Sequence, residues 1–119
     1  MAKTSTTTHT MKLFRKFNYT VWKTEHWCSF SRKRKDLLGF IDVIAFDEVE
    51  IIGVQDTSKG NVGARIKKIL ASPLAWDWLQ QENRAIIVVG WHKVKNRWAY
   101  EEEEILLSHF KEGRPNEQD

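Results

Sequence analysis

The sequence holds a single cysteine, Cys28. One thiol excludes an intrachain disulfide and any zinc site built from thiolates, and it agrees with a reducing compartment. No apolar run approaches the roughly 18 residues that a membrane span requires, so no membrane association is expected. Residues 1–10, MAKTSTTTHT, lack the apolar stretch of a secretory signal and read as a flexible polar leader. His9, His26, His92 and His109 do not fall at zinc-ligand spacings and read as surface or packing residues. There is no glycine-rich phosphate loop, no G-x-S-x-G elbow and no Cys–His pair in a known context, which removes the enzyme classes those motifs announce.

What is present fits one small domain. The chain has 119 residues, of which 41% are hydrophobic, enough for one core. We place that domain at 11–110, with a polar tail at 111–119. Six tryptophans are many for this length, and a core this small leaves some of them for a surface or groove. The formal net charge of +3 conceals an asymmetry. Residues 1–35 carry nine Lys or Arg and one acid, Glu25, whereas the remaining residues carry ten basic and fifteen acidic side chains. Basic charge is therefore concentrated where a polyanion can use it.

Periodicity divides the chain into elements. Met11, Phe14 and Phe17, with Leu13 beside them, predict a helix over roughly 5–17. A short strand follows at Tyr19, Val21 and Lys23, then a polar, basic loop at 29–35. The run LGFIDVIAF, 38–46, reads as a buried strand. A turn at Asp47–Glu48 joins it to a second strand, 49–57, as a hairpin. Capping residues at 58–61 lead into a helix over 61–71 with Val62, Ile66, Ile69 and Leu70 on its apolar face. Pro73 closes that helix and opens a shorter one at 74–81. Strands at 84–94 and from Arg97 to about Leu107 flank a turn at Lys95–Asn96. The acidic run Glu101–Glu104 reads as a solvated edge that discourages edge-to-edge pairing. The sum is an α/β domain with a mixed central sheet flanked by helices.

Asp42 is the most informative residue. It stands among apolar neighbours, on the strand face of Leu38, Phe40, Ile44 and Phe46. A lone carboxylate there costs several kcal/mol unless it is paired or bound to a metal. The facing strand presents Val49, Ile51, Gly53, Gln55 and Thr57 on one side, which brings Gln55 and Thr57 next to Asp42. Gly53 is expected to leave open space beside them. Oxygen donors of this kind suit a hard cation such as Mg²⁺. Alternation sends Asp56 to the opposite face unless a bulge brings it round.

Asp42 within GFIDVIAF, a turn, and IIGVQDTS leading into a helix resemble the PD-(D/E)xK, restriction-endonuclease-like, nuclease superfamily. The stretch from Asp36 to Asp42 is similar to the D-x-x-G-x-x-D approach of Holliday-junction-resolvase-like and Mrr-like members, including small phage-encoded ones. The resemblance implies an α-β-β-β-α-β core and a Mg²⁺- or Mn²⁺-dependent DNA endonuclease, with branched or recombination-intermediate DNA as a candidate substrate. It also implies a homodimer working in the cytoplasm of a bacterial or phage-infected cell. Asp42 matches the metal-binding Asp and Gln55 the Glu position, where Mrr-like members also use Gln. Thr57 stands where the family has Lys, a departure that Lys59, or Lys67 or Lys68, would have to cover. Glu25 is a further metal ligand by the same resemblance. Arg32, Lys33, Arg34 and Lys35, with Lys67 and Lys68, are the expected phosphate contacts, and Trp22, Trp27 and Phe30 flank the basic run for stacking on bases. Two other readings compete with the nuclease. One is a binding module on a nuclease fold with a dead site. The other is an interaction protein that dimerises through Trp76, Trp78, Trp91 and Trp98.

Overall fold

The computed structural model describes residues 6–24 and 26–117, with the backbone alone at 26–28 and 34. Helix α1 (Thr6–Lys16) leads into β1 (Thr20–Lys23), then a small two-stranded ribbon of β2 (His26–Cys28) and β3 (Lys33–Lys35). Strands β4 (Val43–Phe46) and β5 (Ile51–Ser58) follow, then a 3₁₀ turn at Lys59–Asn61, α2 (Val62–Leu70) and α3 (Pro73–Trp78). Strands β6 (Arg84–Val94) and β7 (Arg97–Ile105) complete the sheet. Among the described residues no helix is long and apolar enough to cross a membrane.

Helix α1 replaces half of the expected leader. It starts at Thr6, and Thr7 and Thr10 are buried with Phe14 on its inner side. The hydroxyls make that burial possible, because each has a partner. Thr6 and Thr7 both donate to Asp56 Oδ1, at 2.6 and 3.2 Å. Thr10 Oγ1 donates to the Thr6 carbonyl at 2.9 Å and accepts from Trp91 Nε1 at 2.9 Å. The helix ends on Asn18, whose φ of 71° sets up a Schellman motif. Tyr19 N donates to Phe14 O and Asn18 N to Arg15 O, while the Phe14 and Tyr19 rings meet edge-on at 5.8 Å.

The main sheet has the order β1-β4-β5-β6-β7. The pairs β1·β4, β4·β5 and β6·β7 are antiparallel, and β5·β6 is parallel. That single parallel pair requires a crossover, which α2 and α3 supply. Lys95 and Asn96, with φ of 49° and 66°, form the tight turn that suits a twisted β6·β7 hairpin. Val21, Val43, Ala45, Ile52, Val54, Val89 and Trp91 pack beneath α1 on one face of the sheet. Ile41, Ile69, Ala75, Ile86, Val88 and Phe110 build the core on the other, with α2 and α3 against it. Gly90 permits the close seating of the crossover, since a Cβ there would lie 2.3 Å from Val62 Cγ2 and 3.2 Å from Lys59 Cα.

Several expectations need correction. The strand over 38–46 is confined to β4, because Leu38 (φ 56°) and Gly39 (φ 84°) turn the chain just before it. The basic loop at 29–35 is half of a hairpin, with Cys28 paired to Lys33 and His26 to Lys35. Gly53 is not an opening: the space its missing Cβ leaves is filled by Ile41 Cδ1 at 2.9 Å, with Trp78 next to it at 3.5 Å. The tail is tethered, because Arg114 makes a two-pronged ion pair with Asp77 at 3.0 and 2.9 Å.

Candidate active site

Strands β4 and β5 place the central pair. Their register runs Val43·Val54, Ile44·Gly53, Ala45·Ile52, so that Asp42, one step earlier, faces Gln55. The backbone of Asp42 is fixed from both sides. Its N–H donates to Val54 O at 2.8 Å, and its carbonyl accepts from Thr24 N, just past β1, at 2.9 Å. A carboxylate set by two neighbouring strands has little freedom to search, which is what a positioned ligand or acid requires.

Asp42 is 4% exposed and Gln55 2%. Gln55 Nε2 donates to Asp42 Oδ2 at 2.9 Å, and so does the Asp56 N–H, also at 2.9 Å. The third partner is Asp36, whose carboxyl is hydrogen bonded to that of Asp42. Leu38 and Gly39 make this contact possible. Their left-handed conformations close a turn in which Gly39 N donates to Asp36 O and Ile41 N to Leu37 O, returning Asp36 to the residue six positions later. Burial, the Asp36 hydrogen bond and the nearby charge of Asp56 push the Asp42 pKa up from 3.8 to about 8, against the pull of the Asp56 N–H.

Asp56 lies on the other face, as alternation requires, and no bulge turns it round. Its Oδ1 is held by the two threonines of α1. Gln55 Oε1, by contrast, is a buried oxygen with no hydrogen-bond partner. An orphaned buried acceptor costs about 1–3 kcal/mol, and this one belongs to an amide whose nitrogen already touches Asp42. Among the described residues no three His, Cys, Asp or Glu side chains converge as a complete metal cage.

The other expected residues are distributed as follows. Thr57 is buried on the same face of β5 as Gln55. Lys59 begins the 3₁₀ turn, and its ammonium pairs with Glu101 of β7 at 3.3 Å. Lys67 and Lys68 are exposed in the last turn of α2, behind the apolar face of Val62, Ile66 and Ile69. Glu25 lies outside the described residues, as do the side chains of Trp27 and Arg34. Arg32, Lys33 and Lys35 are exposed on the β2–β3 ribbon. Phe30 in its turn is 98% exposed and Trp22 on β1 is 71% exposed. The expected tryptophan surface largely dissolves into the core: Trp91 is buried, and Trp76 and Trp78 pack against the α2–α3 cluster. Trp98 is partly exposed, beside His9 at 4.9 Å and Lys93 at 5.1 Å.

The site residue that sequence reasoning misses is Asp36. It is legible only as the first letter of the D-x-x-G-x-x-D spacing, and Gly39 is the signal that the spacing encloses a turn. Comparison with protein families, with curated proteins and with solved structures finds no match to this chain.

Proposed function

We propose that this chain is a divalent-metal-dependent endodeoxyribonuclease of the restriction-endonuclease-like type, with Asp42 and Gln55 at its centre. The observation that carries the reading is the Asp42–Gln55 pair, buried across the β4·β5 register, with Gln55 Oε1 left without a partner. That orphaned oxygen beside a carboxylate is the donor set a hard cation takes, so the residues fit Mg²⁺ or Mn²⁺. The order α1-β1-β4-β5-α2-β6 supports the same fold reading, with the β2–β3 ribbon as an insertion and β7 as an added edge.

In this reading Asp42 and Gln55 Oε1 hold the cation. The cation, when bound, supplies positive charge to a phosphodiester and helps activate the attacking water. The protein's own part is positioning. Asp56 N–H fixes one oxygen of Asp42, and the strand pairing on both sides keeps the carboxyl from swinging away. The exposed cations of the ribbon, Arg32, Lys33 and Lys35, contact the DNA backbone. Phe30 and Trp22 stand ready to stack on unpaired bases, which favours branched or distorted DNA over plain duplex. A homodimer acting in the cytoplasm belongs to the same proposal.

A second reading is favoured by one specific observation: Thr57 occupies the lysine position, and Lys59 is engaged by Glu101. A domain without the water-orienting cation would bind DNA and leave it intact. Supercoiled plasmid and a four-way junction, each incubated with Mg²⁺, Mn²⁺ or EDTA, separate the two. Metal-dependent nicking, lost by at least roughly 100-fold in Asp42→Asn, is the expected result. Intact DNA in every metal, with binding that ignores EDTA, would leave the binding module as the function.

A further inference from the structure

We propose that Asp36 is a third oxygen ligand of the same cation, so that a hard divalent ion is held by Asp36, Asp42 and Gln55 Oε1. The inference rests on the reading of Asp42 and Gln55 as a metal centre and adds to it a ligand from outside the strands.

Three independent features converge on that point. The first is the turn. Leu38 and Gly39 both adopt positive φ, and the bridge between Leu37 and Ile41 closes the loop. A non-glycine residue in this conformation is uncommon, and the result of the turn is that Asp36 returns to Asp42. The second is the contact itself. The two carboxyls are hydrogen bonded to each other at a site where one of them is 4% exposed. Two like groups at such a distance are not stable as a pair of anions. They share either a proton or a cation. The third is Gln55. It is 2% exposed, its Nε2 is committed to Asp42 Oδ2, and its Oε1 has no partner. An amide oxygen in that state, next to two carboxyl groups, completes a one-sided set of hard donors. The neighbouring Asp56 does not join the set, because its Oδ1 is turned to Thr6 and Thr7 on the far face.

Three oxygen ligands leave part of the coordination sphere to water and phosphate, as Mg²⁺ and Mn²⁺ sites on nucleases and polymerases require. Asp36 is half-buried at the outer side of Asp42. It is therefore the ligand nearest solvent and closes the site from the turn.

The test is Mn²⁺ binding by the full chain, followed by calorimetry and by the electron paramagnetic resonance signal of free Mn²⁺, with no DNA present. Wild type, Asp36→Asn, Asp36→Glu and Asp42→Asn are compared. Asp36→Asn keeps the size and hydrogen bonding of the side chain, and its melting temperature in EDTA, expected at or above that of wild type, reports that it folds. The expected result is a loss of at least tenfold in Mn²⁺ affinity for Asp36→Asn, partial recovery in Asp36→Glu, and a loss at least as large for Asp42→Asn. Wild-type affinity in a folded Asp36→Asn, with affinity lost in Asp42→Asn, would overturn the role of Asp36 and leave the Asp42–Gln55 centre standing. Should Asp36→Asn not fold, Asp36→Glu decides: Mn²⁺ affinity within twofold of wild type, despite the longer arm, overturns the ligand role. Saturable binding absent from the wild type would overturn both.

Discussion

A carboxyl buried beside another carboxyl sets the behaviour of the metal-free protein at the residue scale. Burial, Asp36 and Asp56 raise the folded-state pKa of Asp42 from 3.8 to about 8. The unfolded chain, with an ordinary aspartate, gives up its proton first. The stability gained from a neutral Asp42 is therefore complete below about pH 4 and is lost as pH rises through about 8. In EDTA, urea unfolding is expected to show wild type losing stability between about pH 5 and about pH 9. Asp42→Asn, which cannot ionise, should flatten that slope and be the more stable protein at the alkaline end. Equal slopes in the two proteins would show that the pH dependence arises elsewhere. The same comparison in Mn²⁺ should reverse the order, because only the wild type has an anionic ligand to offer.

Residue types alone make this pair visible. A lone Asp in an apolar run and a Gln at the facing position of the next strand are enough to predict that they meet, since strand alternation is a rule of geometry. Asp36 is harder to see. Its link to Asp42 depends on two left-handed residues, and Leu38 in an apolar stretch gives no sign that it will adopt one. Gly53 misleads for the opposite reason. A glycine reports that something approaches closely, and here the visitor is the protein's own Ile41.

At the scale of elements, patterns with a strong period are legible in the sequence and patterns masked by charge are not. Strand β6 spans Arg84–Val94 as expected, and the Lys95–Asn96 turn follows from residue types that tolerate positive φ. The β2–β3 ribbon looks like a loop because β3 is KRK, which has no apolar alternation; its pairing rests on backbone hydrogen bonds. The first turn of α1 resembles a leader because Thr-rich sequence looks frayed. Its hydroxyls have partners in Asp56 and Trp91, 50 and 81 residues away, and no local rule sees that far. The crossover makes a sharper prediction. Gly90→Ala brings a methyl into Val62 and the Lys59 backbone and should cost roughly 1–3 kcal/mol of stability. Adding Val62→Ala should recover part of that loss, the backbone contact at 3.2 Å remaining. Chemical denaturation of the single and double variants checks both statements; additive losses would show that the two positions are not coupled.

Over the whole molecule, charge is sorted along the chain. The basic ribbon is tethered between β1 and β4, whereas Glu101–Glu104 lie on β7, the far edge of the sheet. A polyanion is drawn to one side and repelled from the other. Replacing Arg32, Lys33 and Lys35 together by Ala should weaken DNA binding uniformly across sequences. Each phosphate contact removed should lower the slope of log affinity against log salt by about 0.9 on duplex. Fluorescence anisotropy between low and moderate salt reads that slope. An unchanged slope would move the DNA surface away from the ribbon.

Strand β7 also restricts how two copies can meet. A twofold axis sets a patch against itself. If the axis passed beside β7, four consecutive glutamates would confront the same four, in reach of one another and with no cation of their own row between them. Extension of the sheet from one subunit into the next is thereby closed on this side, and a symmetric partner must be sought across the helical faces or at the β1 edge.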